Sequence, residues 1–167
     1  MIGIKNKLKL VYVDSKYCDY LRKYDSRVVY NFDKKQTRPF VGVLFEIDGC
    51  KYFAPLSSPK EKHKTMRNNI DFLKLDNGNL GVVNFNNMIP VKEDNIDIVD
   101  INNPEVTLKS YNKLLQNQIF WLNRNSDRLY IKSFNLYNKY KMDKLDNKIK
   151  GRCCNFILLE EKCLEYK

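Results

Sequence analysis

Residues 40–56 decide the fold and have the sequence FVGVLFEIDGCKYFAPL. Two runs rich in β-branched and aromatic residues, Phe40 to Ile47 and Cys50 to Leu56, predict two β-strands. Between them, Asp48-Gly49 favours the two positive φ angles of a tight hairpin turn. Because parallel strands need a much longer crossover, a turn this short joins antiparallel strands only. The segment therefore predicts an antiparallel hairpin.

Similar strand signals occur on both sides of this hairpin. Residues Leu8 to Val13 alternate between apolar and polar, which is typical of a half-buried strand. A second hairpin is predicted from Phe72 to Leu75, through the turn Asp76-Asn77-Gly78-Asn79, into Leu80 to Phe85. A further short strand is predicted at Met88 to Val91. The first half of the chain therefore predicts an antiparallel sheet.

Helical spacing predicts four helices, three of them in the second half of the chain. Asp14 or Ser15 can cap the first, which places Tyr17, Tyr20, Leu21 and Tyr24 on one face. The others are a segment from Thr107 to Asn123, a longer helix capped by Ser126 and a last helix capped by Asn155. Polar stretches at 25–38, 61–69 and 102–105 are predicted as loops. Strands first and helices later indicate an α+β domain.

Length and composition limit the class of protein. The chain has 167 residues, of which 43% are hydrophobic, so it can build a core but is too short for two independent ones. We therefore expect a single domain spanning residues 1–167. No apolar run approaches the roughly 20 residues that span a bilayer, and residues 1–10 lack a secretion signal. A cytoplasmic protein with no membrane partner is expected.

The cysteine and histidine content argues against disulfides and metals. The five cysteines are an odd number, and none forms a C-x-x-C pair. His63 is the only histidine. We therefore expect free thiols, no metal site and no cofactor.

The net charge of +10 and the pI near 9.3 suit a polyanionic partner, of which nucleic acid is the commonest. The same charge also arises from the Lys- and Asn-rich composition that an AT-rich coding sequence produces. Charge alone leaves both interpretations open.

The segment best suited to catalysis follows the second strand of the first hairpin. Pro55 fixes φ and donates no hydrogen bond, so this strand should end near Pro55 or lie at an edge. Ser57 and Ser58 can donate hydrogen bonds to a phosphate oxygen, and Lys60 can neutralise charge that develops on it. His63 could act as an acid or base. The alternative is that Ser-Ser-Pro-Lys is an ordinary turn.

Other catalytic classes lack their motifs. The chain contains no G-x-S-x-G elbow, and one histidine is a poor basis for a serine hydrolase. It also lacks a Walker loop and a G-x-G-x-x-G sequence, so nucleotide-dependent chemistry has no phosphate cradle.

Several blocks, in order along nearly the whole chain, resemble the ToxN/AbiQ family of type III toxin–antitoxin endoribonucleases. They are Val41 to Gly49, Lys51 to Lys60 with His63, Leu80 to Phe85, Met88 to Pro90, and Cys154 to Lys162. A further helical block begins with Gln118-Ile119-Phe120 and ends with Asn125-Ser126-Asp127. The resemblance implies a compact, twisted antiparallel sheet, partly barrel-like and akin to the MazF/Kid toxins, surrounded by helices. It also implies metal-independent cleavage in which the ribose 2′-hydroxyl attacks its own phosphate, leaving a 2′,3′-cyclic phosphate and a 5′-hydroxyl.

The resemblance also assigns site residues. The matching catalytic positions are Lys60, Ser58 and Ser57, and Arg38 stands where relatives can carry lysine. A tyrosine is expected in the preceding loop, for which Tyr30 is the candidate. His63 matches as well, and it either acts in catalysis or orients the loop. We expect Lys60 to act mainly by electrostatic stabilisation, because it could remove a proton only with a lowered pKa.

The implied partners are RNAs. The resemblance implies that the protein is held inactive by a repeat-derived antitoxin RNA pseudoknot and processes the precursor of that RNA. It also implies a closed heteromeric protein–RNA assembly, cleavage of target mRNA, and a role in phage defence by abortive infection. Two basic stretches could bind phosphates: the first comprises Lys60, Lys62, Lys64 and Arg67, and the second comprises Lys139, Lys141, Lys144, Lys148, Lys150 and Arg152. Without the resemblance, each could be a solvated face. The resemblance favours phosphate contact.

Two other functions stay open at this point. One is a catalytically inactive, basic RNA-binding module of the same fold. The other is a basic interaction protein with an acidic protein partner. The combination of hydroxyls and a cation in Ser57 to Lys60 favours the enzyme, because a binding module has no need of that combination.

Overall fold

A computed structural model describes residues 7–29, 38–101 and 109–167. Its eight strands are β1 (Lys9–Val13), β2 (Phe40–Gly42), β3 (Glu46–Ile47), β4 (Cys50–Ser57), β5 (Phe72–Lys74), β6 (Val82–Asn84), β7 (Ile89–Val91) and β8 (Ile96–Ile98). Its helices are α1 (Ser15–Arg22), α2 (Glu61–Thr65), α3 (Lys109–Arg124), α4 (Ser126–Lys141), α5 (Asn147–Arg152) and α6 (Phe156–Glu165). The predicted α+β class is confirmed.

All strand pairings in the sheet are antiparallel, as predicted. The main order is β5-β6-β4-β2-β1-β8, and β3 and β7 also pair with β4. β5 and β8 lie at opposite ends of this order, so the sheet is not closed into a barrel. Strand β4 is the centre of the fold because it alone pairs with four other strands.

The hairpin predicted for residues 40–56 is present, with one correction. Asp48 and Gly49 have φ angles of 49° and 86°, and β3 and β4 pair on either side of them. However, the predicted strand from Phe40 to Ile47 is two strands, β2 and β3, separated by residues 43–45. The run is interrupted because β4 changes partner along its length: its start pairs with β3, whereas Ala54 and Pro55 pair with β2.

Two predicted helices have the side-chain caps that the sequence predicts, and a third does not. The Asp14 side chain accepts a hydrogen bond from the Tyr17 amide at 3.3 Å at the start of α1. The Asn155 side chain caps α6 in the same way, through the Leu158 amide at 3.2 Å. Helix α4 begins at Ser126, but Ser126 is not its cap. Asn125 holds the cap position and donates instead to the Trp121 carbonyl at 2.8 Å.

The structure adds three elements that the sequence did not predict: β8, α2 and α5. Helix α2 lies inside the predicted loop at 61–69, which is a correction. Helix α5 is capped by Asp146, whose side chain accepts from the Ile149 amide at 2.9 Å. Strand β8 pairs with β1.

The helices cover the sheet around an aromatic core. The Tyr52 hydroxyl of β4 donates to Glu160 of α6 at 2.5 Å, and its ring stacks on Phe45 with centroids 4.4 Å apart. Tyr137 of α4 packs edge-on against Tyr52, 5.5 Å between centroids. All five cysteines are free and buried in this core, as the free-thiol prediction requires. Burial raises the pKa of the Cys18 thiol to about 12. The Cys18 thiol is therefore a protonated packing group.

Candidate functional site

The loop after β4 carries the predicted hydroxyls and lysine. Pro55 does not end the strand, since β4 continues to Ser57. The strand tolerates the proline because β7 pairs with β4 only as far as Phe53 and β6 begins pairing at Leu56, so this side of β4 lacks a partner at Pro55. Ser58, Pro59 and Lys60 follow in an exposed loop, where their side chains can meet a ligand.

Ser57 has a partner that the sequence did not predict. Asn84 of β6 donates from its side-chain amide to the Ser57 hydroxyl oxygen at 3.0 Å. A serine hydroxyl has one proton to donate and two acceptor sites. Because Asn84 uses an acceptor site, the Ser57 proton is left to donate toward a ligand. Asn84 lies in the family-like block from Leu80 to Phe85, which was its only signal in the sequence.

His63 holds the loop in shape. Its Nδ1 accepts a hydrogen bond from the Lys60 amide at 3.1 Å, and its own amide donates to the Lys60 carbonyl at 2.9 Å. The side chain is buried, with 3% of the residue exposed. Burial, together with the charges of Lys62 and Lys60, lowers the pKa of His63 from its usual value. The imidazole is therefore neutral at pH 7, with Nδ1 as the acceptor and the proton on Nε2.

Two glycines let a neighbouring segment approach this loop. Gly81, which precedes β6, has a φ of 101°, and a Cβ there would overlap the Ser57 carbonyl oxygen. Gly78 has a φ of 93°, and a Cβ there would lie 2.7 Å from the His63 carbonyl oxygen. Both the backbone angles and the space exclude larger residues. The turn from Asp76 to Gly81 is therefore packed directly against both ends of the loop.

Arg38 lies beside the end of β4. The β2–β4 register pairs Phe40 with Pro55, and the Leu56 amide donates to the Pro39 carbonyl at 2.9 Å. Continuing this register places Arg38 opposite Ser57. Burial lowers the pKa of Arg38 from its usual value, yet a guanidinium of this type stays protonated. The structure thus brings Arg38 to the strand end that carries Ser57, whereas Tyr30 lies outside the described residues.

The two basic stretches differ in how their charges are compensated. In the first, Lys64 pairs with Glu61 at 3.3 Å, while Lys60, Lys62 and Arg67 are exposed and form no ion pair with any described residue.

In the second stretch, two of the six cations bind carboxylates. Arg152 donates two hydrogen bonds to the buried Asp71, at 2.9 and 3.1 Å, and Lys150 binds Asp143 at 2.6 Å. The exposed side chains of Lys141, Lys144 and Lys148 and the half-buried Lys139 form no ion pair within the described part of the chain. The stretch therefore combines structural cations with uncompensated ones.

Two kinds of site are absent from the described segments. Within residues 7–29, 38–101 and 109–167, no three His, Cys, Asp or Glu side chains are grouped in a way that could hold a metal ion. No helix in those segments has both the length and the apolar character needed to cross a membrane.

Comparison with known proteins identifies the family. The family model described as toxin ToxN of type III toxin–antitoxin systems matches residues 9–164. The chain belongs to the ToxN family. A relative in Bacillus thuringiensis subsp. kurstaki, named endoribonuclease ToxN, is 37% identical over 167 residues, which cover 98% of this chain and 86% of the relative. The resemblance noted from the sequence blocks is therefore confirmed.

Solved structures of ToxN-family proteins share the fold. One comes from work on selective toxin inhibition by a non-coding RNA pseudoknot in bacterial type III systems. It has a TM-score of 0.82 and 34% identity, covering 96% of this chain and 98% of the other. Another is AbiQ, a lactococcal anti-phage endoribonuclease of a type III system, with a TM-score of 0.82 and 30% identity, covering 96% and 98%. The fold expected from the resemblance is thus confirmed, apart from the open sheet.

Proposed function

We propose that this chain is the toxin of a type III toxin–antitoxin system and a metal-independent endoribonuclease whose site is the loop after β4. The observation that carries this proposal is the loop itself. It exposes Ser58 and Lys60 next to Ser57, and its shape is held by the buried His63 and by the close approach of Gly81. A rigid loop that presents donors and a cation suits a reaction that builds negative charge on phosphate.

The proposed reaction needs no nucleophile from the protein. The ribose 2′-oxygen forms a bond to its adjacent phosphorus, and the bond from phosphorus to the 5′-oxygen of the next nucleotide breaks. The products are a 2′,3′-cyclic phosphate and a 5′-hydroxyl. The 2′ proton leaves during attack, and the departing 5′-oxygen gains a proton.

Each site residue has a part in this reaction. Lys60 neutralises the charge on the phosphorane oxygens, while Ser58 and Ser57 donate hydrogen bonds to them. The planar fork of Arg38 can hold the scissile or a neighbouring phosphate. Tyr30 is proposed as a further contact by resemblance alone. His63 is a positioning residue, because its Nδ1 is occupied by the Lys60 amide and its ring is buried.

The proposed partner is a repeat-derived antitoxin RNA that folds into a pseudoknot. The solved relative inhibited by an RNA pseudoknot supports this proposal, as does the uncompensated charge on both basic stretches. In this proposal the protein cuts the repeat precursor, is inhibited by the product in a closed protein–RNA assembly, and cleaves target mRNA when released. The anti-phage activity named for AbiQ supports a role in phage defence.

The chemistry is tested by incubating the purified protein with a long RNA in EDTA and identifying the new ends by mass spectrometry. The proposal expects 2′,3′-cyclic phosphate and 5′-hydroxyl ends, and no cleavage of the same RNA carrying 2′-O-methyl riboses. Ends with a 3′-hydroxyl and a 5′-phosphate would contradict it, as would uncut RNA.

The partner is tested separately. The DNA upstream of the open reading frame should contain a tandem repeat followed by a terminator, and RNA transcribed from it should inhibit the cleavage above. RNA from this region that leaves the cleavage unchanged would contradict the proposed antitoxin. That result would leave the nuclease assignment intact.

A further inference from the structure

A polar cleft of about 210 Å³ is lined in part by Asp76 and Asn77, from the turn that packs against the proposed catalytic loop. Its lining consists of three asparagines, one aspartate, two cations and Trp121, and we call it the Trp121 cleft. Its volume is several times the roughly 30 Å³ of one water molecule. It is smaller than the roughly 300–1,000 Å³ of pockets that enclose drug-sized ligands. A single ring system is therefore the size of ligand that fits.

One side of the cleft suits a flat ring. Trp121 is half-buried on α3, and the Arg128 guanidinium of α4 lies 5.8 Å from its ring centroid. Unpaired RNA bases stack on aromatic rings and on guanidinium planes of this kind. Trp121 is also the only tryptophan in the chain.

The lining also offers hydrogen-bonding groups that the described part of the protein does not use. The side chains of Asn68, Asp76 and Asn77 have no hydrogen-bond partner among the described residues. Asp76 and Asn77 have φ angles of 49° and 54°, a conformation that Asp and Asn tolerate better than other non-glycine residues. Amide and carboxylate groups of this kind recognise the edges of bases. The cleft therefore combines a stacking surface with edge-reading groups.

The cleft is connected to the catalytic loop through two contacts. The turn with Asp76 and Asn77 continues into Gly78, which lies against the His63 carbonyl. On the other side, Lys74 donates to the carbonyl of Met66, directly after α2, at 2.9 Å. His63 is three residues from Lys60, a rise of about 4.5 Å along a helix. A base in the cleft would thus belong to a nucleotide close to the phosphate held at Lys60.

We propose that the Trp121 cleft binds one unpaired nucleobase of the RNA substrate and makes cleavage depend on that base. This inference rests on the proposed ribonuclease function and deepens it, since it names a source of sequence specificity. Lys74 and Arg128 also add positive charge to the lining, which suits an RNA ligand.

The chemistry of Asp76 predicts which bases enter. A carboxylate accepts hydrogen bonds only, so it favours bases with an exocyclic amino group, namely adenine, cytosine and guanine. Uracil has no amino group, and its one ring N–H lies between two carbonyl oxygens that repel a carboxylate. The cleft should therefore discriminate against uracil, and Asp76→Asn should relax this discrimination because an amide can donate to a uracil carbonyl.

Binding is tested by tryptophan fluorescence of the full chain, because the signal comes from Trp121 alone. Short single-stranded 2′-O-methyl RNAs are titrated in, so that no cleavage occurs. Oligoadenylate should quench the fluorescence at roughly tenfold lower concentration than oligouridylate. Asp76→Asn should reduce this ratio at least several-fold. Equal quenching by both RNAs, or an unchanged ratio in Asp76→Asn, would overturn the inference.

Cleavage gives a second readout and separates the two proposals. Sequencing of the junctions cut by the wild type in a randomised RNA should show one position depleted of uracil. Asn77→Gly should weaken this preference while preserving the positive φ, and Asn79→Gly, in the same turn but outside the cleft, should not. Identical junction preferences in all variants would overturn the inference. Absence of any cutting by the wild type would overturn the proposed function, and the fluorescence ratio would still decide whether the cleft binds a base.

Discussion

The two basic stretches are both rich in lysine and arginine, but their structures differ. Around the loop after β4, Lys60, Lys62 and Arg67 project from a loop and a short helix without carboxylate partners in the described part of the chain. In α5, Arg152 binds the buried Asp71, and Lys150 binds Asp143. Counting cations therefore does not locate an RNA site. What distinguishes the first stretch is the fixed geometry that His63, Gly78 and Gly81 give to it.

The largest effect should come from disturbing that geometry. Gly81→Ala places a Cβ on the Ser57 carbonyl oxygen, and displacements of about 1 Å at a catalytic site can cost 10²-fold in rate. We expect at least this loss of RNA cleavage.

Gly49→Ala is the matched control for this variant. Gly49 also has a positive φ, of 86°, but a Cβ there meets nothing within 4 Å. In both variants an alanine is held at a positive φ, which should lower the free energy of unfolding by about 1–2 kcal/mol. Thermal unfolding measures this loss. Only Gly81→Ala should also lose activity. Equal activities of the two variants would contradict the role assigned to Gly81.

A smaller effect, on the free energy of unfolding, should distinguish the paired Arg152 from the unpaired Lys148 in the second stretch. Arg152→Ala leaves the Asp71 carboxylate buried without its cation, so we expect the free energy of unfolding to fall by about 2 kcal/mol. Lys148→Ala removes an exposed lysine without an ion pair in the described chain, and should change stability by less than about 0.5 kcal/mol. Urea unfolding of both variants measures this difference. Equal stabilities would show that the Asp71 pair is not structural.

The salt dependence of RNA affinity can be compared between variants that each lack one cation, one from each stretch. With a 2′-O-methyl single-stranded RNA, Lys62→Gln should make the slope of log affinity against log salt less negative by about 0.7, the value for one lost phosphate contact. Lys150→Gln should change it less, because its ammonium already binds Asp143. The same change in both variants would instead support phosphate contact by Lys150.

The smallest effect concerns pH. The pKa of His63 is lowered in the folded protein by burial and by Lys62 and Lys60, whereas the unfolded chain should have a value of about 6.5. The unfolded state therefore binds the proton more readily, and stability should fall as the pH drops below about 6.5 toward the lowered value. The slope cannot exceed about 1.4 kcal/mol per pH unit. His63→Asn should lose this component in urea unfolding, and an unchanged slope would contradict the neutral imidazole.

The sequence predicted the parts of the fold that depend on local signals. The Asp48-Gly49 turn, the caps at Asp14 and Asn155 and the order of strands before helices needed only neighbouring residues. Helix α2 was missed because its start is held by the His63 imidazole and its position by Gly78, which comes from a distant turn. The break between β2 and β3 was missed because it depends on which strand β4 pairs with at each point.

For the candidate site too, the sequence predicted the residues that are neighbours along the chain but not those that strand pairing brings to it. Ser57, Ser58, Lys60 and His63 are close in sequence, so one stretch contained them. Asn84 and Gly81 reach the loop only through the β4–β6 register, which composition and spacing do not reveal. The role of His63 in positioning the loop required knowledge of its burial. Tyr30 lies outside the described residues and stays a prediction.

The central claim is tested most directly by comparing Lys60→Ala with Lys148→Ala in single-turnover RNA cleavage in EDTA at saturating protein. Lys60 has an exposed side chain with no hydrogen bond in the described structure, so its loss should leave the fold intact. We predict that Lys60→Ala slows cleavage by about 10²-fold or more, the scale of losing one charge-stabilising group, and that Lys148→Ala stays within a few-fold of the wild type. Full activity of Lys60→Ala would contradict the account.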